Sequence, residues 1–256
     1  MSQRRPRSLK HEYELFVEAE IENYKESVPR SALLAIGDEA VAALERDPQL
    51  SLTEMLLWEE VDRIIFRRLR LPSYETWRRR RLKAAAELKR PEHWGIAPDA
   101  PLVRAVVPNA DGPVLVAGTG TERSALLLAA HGCDVVAIGR EEVALTRVLS
   151  EAEAAGLSQR VRALVGDLAS FTPDAPFRAV VCSLSALASL SKGERGRAIA
   201  LLQQATAEGG IHLLEGALDG RSRRVLDELA ARYEGWRISV EDGAGQQSFV
   251  AWKEVA

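Results

Sequence analysis

Apolar and polar positions change their period once along this chain. From residue 11 to residue 94 apolar side chains recur at steps of three and four, the spacing of one helix face. Tyr13, Val17, Ile21, Tyr24 and Val28 form such a stripe with acids between them. Ser31 is placed to cap a second helix carrying Leu33, Leu34, Val41 and Leu44. Ser51-Leu52-Thr53-Glu54 has the spacing of a capping box, and the helix after it is expected to bury Met55, Val61, Ile64, Ile65 and Leu69 until Pro72 stops it. Ser73 then opens a fourth helix that ends before Pro91.

From about residue 112 short apolar runs alternate with helical segments. VLVA leads into SALLLAA, DVVAI into EEVALTRVLSEAEAA, RVRALV into a short connection, FRAVVCSL into GERGRAIALLQQAT, and GGIHLLEG into RSRRVLDELAARY. This alternation implies a parallel sheet with helices on both faces. The last two runs, WRISVED and QQSFVAWKEV, are joined only by Gly-Ala-Gly, so they are expected to pair antiparallel. Three parts follow: a helical domain over 1–95, a linker over 96–111, and an α/β domain over 112–256.

Composition narrows the possibilities. The chain has 256 residues, of which 46% are hydrophobic, enough to bury a substantial core. A net charge of -3 argues against a surface given over wholly to nucleic acid. No apolar run approaches the roughly 20 residues that span a bilayer, and MSQRRPRSLKHEYE does not read as a secretory signal. Cys133 and Cys182 have no metal-ligand spacing, and a reducing, cytoplasmic setting without a disulfide is expected. His11 and His93 have no partners at ligand spacing, and no metal site is expected. His131 reads as a helix-end residue and His212 as a core or edge histidine. Cys182 reads as a small buried apolar residue.

The chemistry concentrates in VLVAGTGTERSALLLAAHG, from Val114 to Gly132. A strand runs into Gly118-Thr119-Gly120 and then into a helix. Such a turn lets a ligand approach the backbone closely and meet the N–H groups of the helix start. A dinucleotide fingerprint wants a third glycine where Arg123 stands. An S-adenosylmethionine pattern wants an acid where Val116 stands and a glycine where Glu122 stands. A tight turn kept for folding is the alternative account of the two glycines. Asp167 could likewise cap the next segment, and Glu141 and Glu142 could serve a helix dipole.

The order of elements decides between these patterns. Residues 112–256 resemble the class I S-adenosylmethionine-dependent methyltransferase superfamily. AAHGCDVVAIGREEVAL is similar to its second strand and helix, VRALVGDLASF to its third strand, FRAVVCSLSAL to its fourth, and AEGGIHLLEG to the turn into its fifth. The resemblance implies a Rossmann-like fold: a mostly parallel seven-stranded sheet ending in an antiparallel hairpin. It implies that Gly118, Thr119 and Gly120 pass beneath the methionine part of S-adenosylmethionine. It implies that Asp167 accepts from the adenine amino group, that Leu168 packs on the ring, and that Ser183 faces the acceptor. The family's ribose-binding acid is replaced by Gly139, and Glu141 or Glu142 are the acids that could reach back.

The fourth run ends in CSLSAL, without the motifs resembling those of enzymes that methylate nucleic-acid bases, which leaves an acceptor that is a small molecule or a partner presented to the helical domain. The alternative is a non-catalytic protein of the same shape whose helices bind a partner or assemble. The basic run Arg78, Arg79, Arg80 and Arg81 could bind nucleic acid, but pairing with the acidic first helix is the expected role.

Overall fold

The computed structural model describes residues 8–46, 53–217, 220–243 and 246–254. The chain divides into two compact units, residues 1–84 and 85–256.

The first unit is helical: α1 Leu9–Ser27, α2 Arg30–Leu44, α3 Glu54–Leu69, and α4 Tyr74–Leu88, which continues past the division. Its core is Ile21 from α1, Ile36 and Ala40 from α2, and Val61, Ile64 and Ile65 from α3. Leu34 and Met55, expected inside, are 61% and 69% exposed. Leu34 lies two residues from Ile36, and Met55 about two and a half turns from Ile64, so each points away from the buried stripe. The cap of α2 is Pro29 rather than Ser31, because the helix already begins at Arg30. Ser51 lies outside the described residues; the Thr53 hydroxyl accepts from the Leu56 N–H and caps α3. That helix ends at Leu69, ahead of the Pro72 signal, because its cap Arg70 has a φ of 52° that turns the chain left-handed.

Helix α4 buries no residue. Ser73 accepts from the Thr76 N–H at its start. Tyr74 and Trp77 join Tyr13 and Phe16 in an aromatic cluster, and the Tyr13 hydroxyl donates to the Pro72 carbonyl at 2.9 Å. The expected pairing of the four arginines with α1 is realised by one contact among the described residues, Arg81 to Glu12 at 3.6 Å. The acids that do hold arginines lie elsewhere: Glu60 takes Arg63 and Arg67, and Glu39 takes Arg68.

The second unit is built on seven strands: β1 Pro113–Ala117, β2 Asp134–Gly139, β3 Val161–Val165, β4 Phe177–Ser183, β5 Thr206–Ala217, β6 Trp236–Gly243 and β7 Gln246–Lys253. Their order is β3-β2-β1-β4-β5-β7-β6, with β7 alone running against its neighbours. Helices α5 Glu122–Ala130 and α6 Glu142–Ala154 cover one face, together with a helical turn at Leu102–Val106. Helices α7 Leu184–Ala188, α8 Lys192–Gln204 and α9 Gly220–Arg232 cover the other. The central strands read as unbroken apolar runs because both faces are buried. Leu102 and Val106, in the stretch between the helical and α/β sequence patterns, are buried against the sheet. Trp94 packs there as well, donating its indole N–H to the Leu88 carbonyl at 2.7 Å.

Among the described residues no helix is long and apolar enough to cross a membrane, and no group of acidic, histidine and cysteine side chains is set to hold a metal ion. Both cysteines are free and buried, and burial pushes the Cys182 thiol up to about 12. His131 ends α5, with its Nε2 3.0 Å from the Lys89 carbonyl.

His212 is fully buried in β5. The Thr206 hydroxyl donates to the Leu202 carbonyl at 2.6 Å, so its oxygen is left to accept from the His212 Nε2–H at 2.6 Å. His212 Nδ1 then accepts from the Tyr233 hydroxyl, also at 2.6 Å. Burial first, then the Lys253 charge, drives the imidazole down to about 3. An unfolded histidine titrates near 6.5. Between those values the unfolded chain holds one more proton than the native chain. Stability is therefore full above pH 6.5 and is lost as pH falls toward 3, at about 1.4 kcal/mol per pH unit. Replacing His212 with Gln should flatten the pH dependence of denaturant unfolding by that slope between about pH 6 and pH 4. Equal slopes in both proteins would show that the histidine does not carry it.

Candidate functional site

Strand order reverses between β1 and β4, and open α/β sheets bind ligands at such a point, beyond the carboxyl ends of the strands. A cleft of about 290 Å³ opens there, near the lower end of the roughly 300–1,000 Å³ found for small-molecule sites.

The turn after β1 forms its floor. Gly118 and Gly120 have φ of +93° and +90°, conformations that side chains resist. The Gly118 N–H donates to the Ile138 carbonyl at 3.2 Å, and the Thr121 hydroxyl donates to the Gly118 carbonyl at 2.6 Å. The two glycines serve different ends. A Cβ on Gly118 would stand 2.6 Å from Ser183 Oγ and 2.7 Å from Ala186 Cβ, whereas one on Gly120 would meet nothing within 4 Å. Gly118 thus accommodates the protein itself, and Gly120 faces open space. The Gly120 N–H donates to Glu122 at 3.1 Å, so part of the helix-start donor set is already engaged.

The end of β2 supplies Gly139, Arg140 and Glu141. A Cβ on Gly139 would make ordinary contact with Leu145 at 3.9 Å. The Thr119 hydroxyl donates to the Glu141 carboxylate at 3.4 Å, which ties the turn after β1 to the acid after β2. The end of β3 supplies Asp167 and buried Leu168. Asp167 accepts from the Ala169 N–H at 3.0 Å through one oxygen and from Arg140 through the other. The Ala169 N–H, followed by the Arg140 guanidinium, holds the Asp167 carboxyl below the usual carboxylate range.

The cleft brings together Gly118, Thr119, Gly139, Glu141, Asp167 and Leu168. Gly120 borders the turn without forming its wall. Ser183 lies elsewhere: it is buried, accepts from the Ala186 N–H at 3.2 Å as the cap of α7, and lies 2.8 Å from the Ser185 hydroxyl. From that turn Ser185, Ala186 and Ser189 reach the cleft instead. A helix starting at Leu184 turns the capping hydroxyl toward backbone N–H groups, which pattern matching along β4 does not reveal.

Two further residues to which the sequence patterns assigned no binding role line the cleft. Glu122 stands where the motif was expected to hold a glycine, and Arg140 directly follows Gly139, the position that lacks the family's acid. Glu215, opposite Ser183 in the β4–β5 register, has its carboxyl pushed up by burial, partly offset by a hydrogen bond from Ser248.

Residues 114–210 match the family model of a methyltransferase domain. No match to the chain was found among the curated proteins. Among solved structures, the cyclase SpnF is 20% identical, with a TM-score of 0.52 over 60% of this chain and 79% of its own. TehB from Haemophilus influenzae is 15% identical, with a TM-score of 0.52 over 64% of this chain and 65% of its own. A looser likeness joins the chain to the glycopeptide N-methyltransferase MtfA complexed with S-adenosyl-L-homocysteine: 18% identity and a TM-score of 0.47 over 56% of this chain and 84% of that one. At such identities SpnF and TehB show a shared fold. The domain match and the strand order together make residues 114–210 a class I methyltransferase segment.

Proposed function

We propose, on the premise that residues 114–210 form a class I methyltransferase segment, that the cleft binds S-adenosylmethionine and that the protein transfers its methyl group to a small-molecule acceptor. The observation that carries the reading is the Thr119–Glu141 contact. The family's ribose-binding acid is absent at Gly139, yet a carboxylate from the next residue but one stands in the same cleft and reaches the glycine turn.

The residues present fit this cofactor. Gly120 leaves its approach open. Glu141 offers a carboxylate to hydroxyl donors, and Leu168 an apolar wall to a ring. Asp167, kept ionised and oriented by Ala169 and Arg140, retains lone pairs for an amino donor. When bound, the cofactor supplies a methyl group on a good leaving group. The protein's part is then to bind, orient and exclude water rather than to provide a nucleophile. Carboxylates at Glu122, Glu141 and Asp167 outnumber the Arg140 cation in the cleft wall, which favours a ligand of positive charge over an anionic dinucleotide. The sequence CSLSAL at the end of β4 supports a small acceptor, since it lacks the base-methylating motifs.

Calorimetric titration with S-adenosylmethionine, its demethylated product and NADPH tests this reading. Binding of the first two and not the third is expected, and Gly120→Ala should weaken S-adenosylmethionine binding at least tenfold. Preference for NADPH would overturn the cofactor assignment. A second reading, a ligand-binding protein of this fold that transfers no methyl group, draws on SpnF, a cyclase with the same fold. Binding of both S-adenosyl compounds with no methyl transfer to any acceptor in a small-molecule panel would favour it. Failure of all three compounds to bind would favour a filled, non-catalytic site.

A further inference from the structure

We infer that the outer edge of β6 is a self-complementary surface that pairs with β6 of a second copy of this chain, joining two sheets into one across a two-fold axis at Ser239. Strand β6 is the last in the sheet. Its register with β7 runs unbroken through eight residue pairs from Trp236 to Gly243. The outward backbone groups of such a strand form a ready template for another strand, and proteins commonly blunt this template with proline, lysine, bulges or a short edge. Proline, lysine and a bulge are absent from WRISVEDG; the charges it does carry, Arg237, Glu241 and Asp242, are of both signs and admit only a strand that matches them. The opposite edge, β3, is a five-residue strand carrying Arg162.

The side chains select the occupant. In an antiparallel pair centred on Ser239, Arg237 stands directly opposite the partner's Glu241, and Ile238 opposite the partner's Val240. The two-fold axis repeats each pair. Shifting the centre to Ile238 or Val240 breaks the Arg–Glu opposition, so charge singles out one register. Ile238 and Val240 are 40% and 51% exposed, leaving two β-branched side chains on one face of this edge open to a partner. They lie on the same strand face as Trp236, and pairing would gather four such side chains into one apolar cluster. On the other face Arg237 is already extended over Trp252, with its guanidinium 4.5 Å from the ring centroid. Glu241 accepts from Arg104. The second copy would add an arginine to that carboxylate.

The contact is small beside the roughly 1,000 Å² expected of a stable interface, so the dimer should be concentration dependent. Sedimentation equilibrium of the full chain over a concentration series tests it. Dimer formation should weaken at least tenfold in Arg237→Glu and in Glu241→Arg, which place like charges opposite one another. Mixing the two single variants should restore association as a heterodimer, and so should the Arg237→Glu/Glu241→Arg double variant. The double variant still lacks the Trp252 stacking and the Arg104 pair. A purely intramolecular effect would therefore not be rescued. Val240→Lys, at a position open to solvent in one copy, should also abolish the dimer while leaving the melting temperature of the monomer unchanged. A chain that stays monomeric at millimolar concentration overturns the inference. So does a dimer that all three single variants leave intact, or a loss that neither the mixture nor the double variant repairs.

Discussion

Gly118→Ala should lower the stability of the α/β unit by roughly 3 kcal/mol, while Gly120→Ala should lower it by about 1 kcal/mol. Both substitutions force a side chain into a positive-φ conformation. Only the first also drives a Cβ into Ser183 and Ala186, at separations of 2.6 and 2.7 Å. Neither neighbour can swing aside, because Ser183 is buried as the cap of α7 and Ala186 is in that helix. The measurement is denaturant unfolding followed by a signal from this unit, since two compact units need not unfold together. Equal losses for the two variants would refute the close packing at Gly118. If the ligand reading is right, the ranking inverts in titration: Gly120→Ala keeps its fold and loses affinity.

The second large effect is expected at Glu141. Glu141→Gln should weaken S-adenosylmethionine binding about tenfold or more, the scale of one charge-assisted hydrogen bond. Gly139→Asp in that background should restore most of the loss. The new side chain would project from the residue that ends β2, and its Cβ has only an ordinary contact with Leu145. An unaltered affinity in Glu141→Gln would remove Glu141 from the site. Loss without rescue would mean that the acid matters through its bond with Thr119 rather than through the ligand.

The architecture was legible because it is written in periods. Strand runs such as VLVA and DVVAI, separated by helical stretches, gave the parallel order, and the short Gly-Ala-Gly link gave the final hairpin. The helical unit was less legible in detail. Leu34 and Met55 are apolar at plausible steps, yet lie off the buried stripe, and only the partner helices decide which stripe is buried. In the site, residue types at strand ends pointed to Gly118, Glu141 and Asp167. What they touch depends on neighbours distant in sequence. Asp167 meets Arg140 across the ends of two strands, and Ser183 turns inward because a helix begins at the next residue. Linear spacing contains neither fact.

The packing of Ser183 against Gly118 bears on how such a site would decay. A lineage that ceased to need the ligand would still need Gly118, because folding would remove any replacement. Gly120 would be held only by its positive φ, a constraint of about 1 kcal/mol. A glycine directly after the first strand is therefore weak testimony to binding in descendants of this chain. The second glycine is the informative one, and its replacement by a bulky residue would mark the copies in which the cleft has fallen out of use.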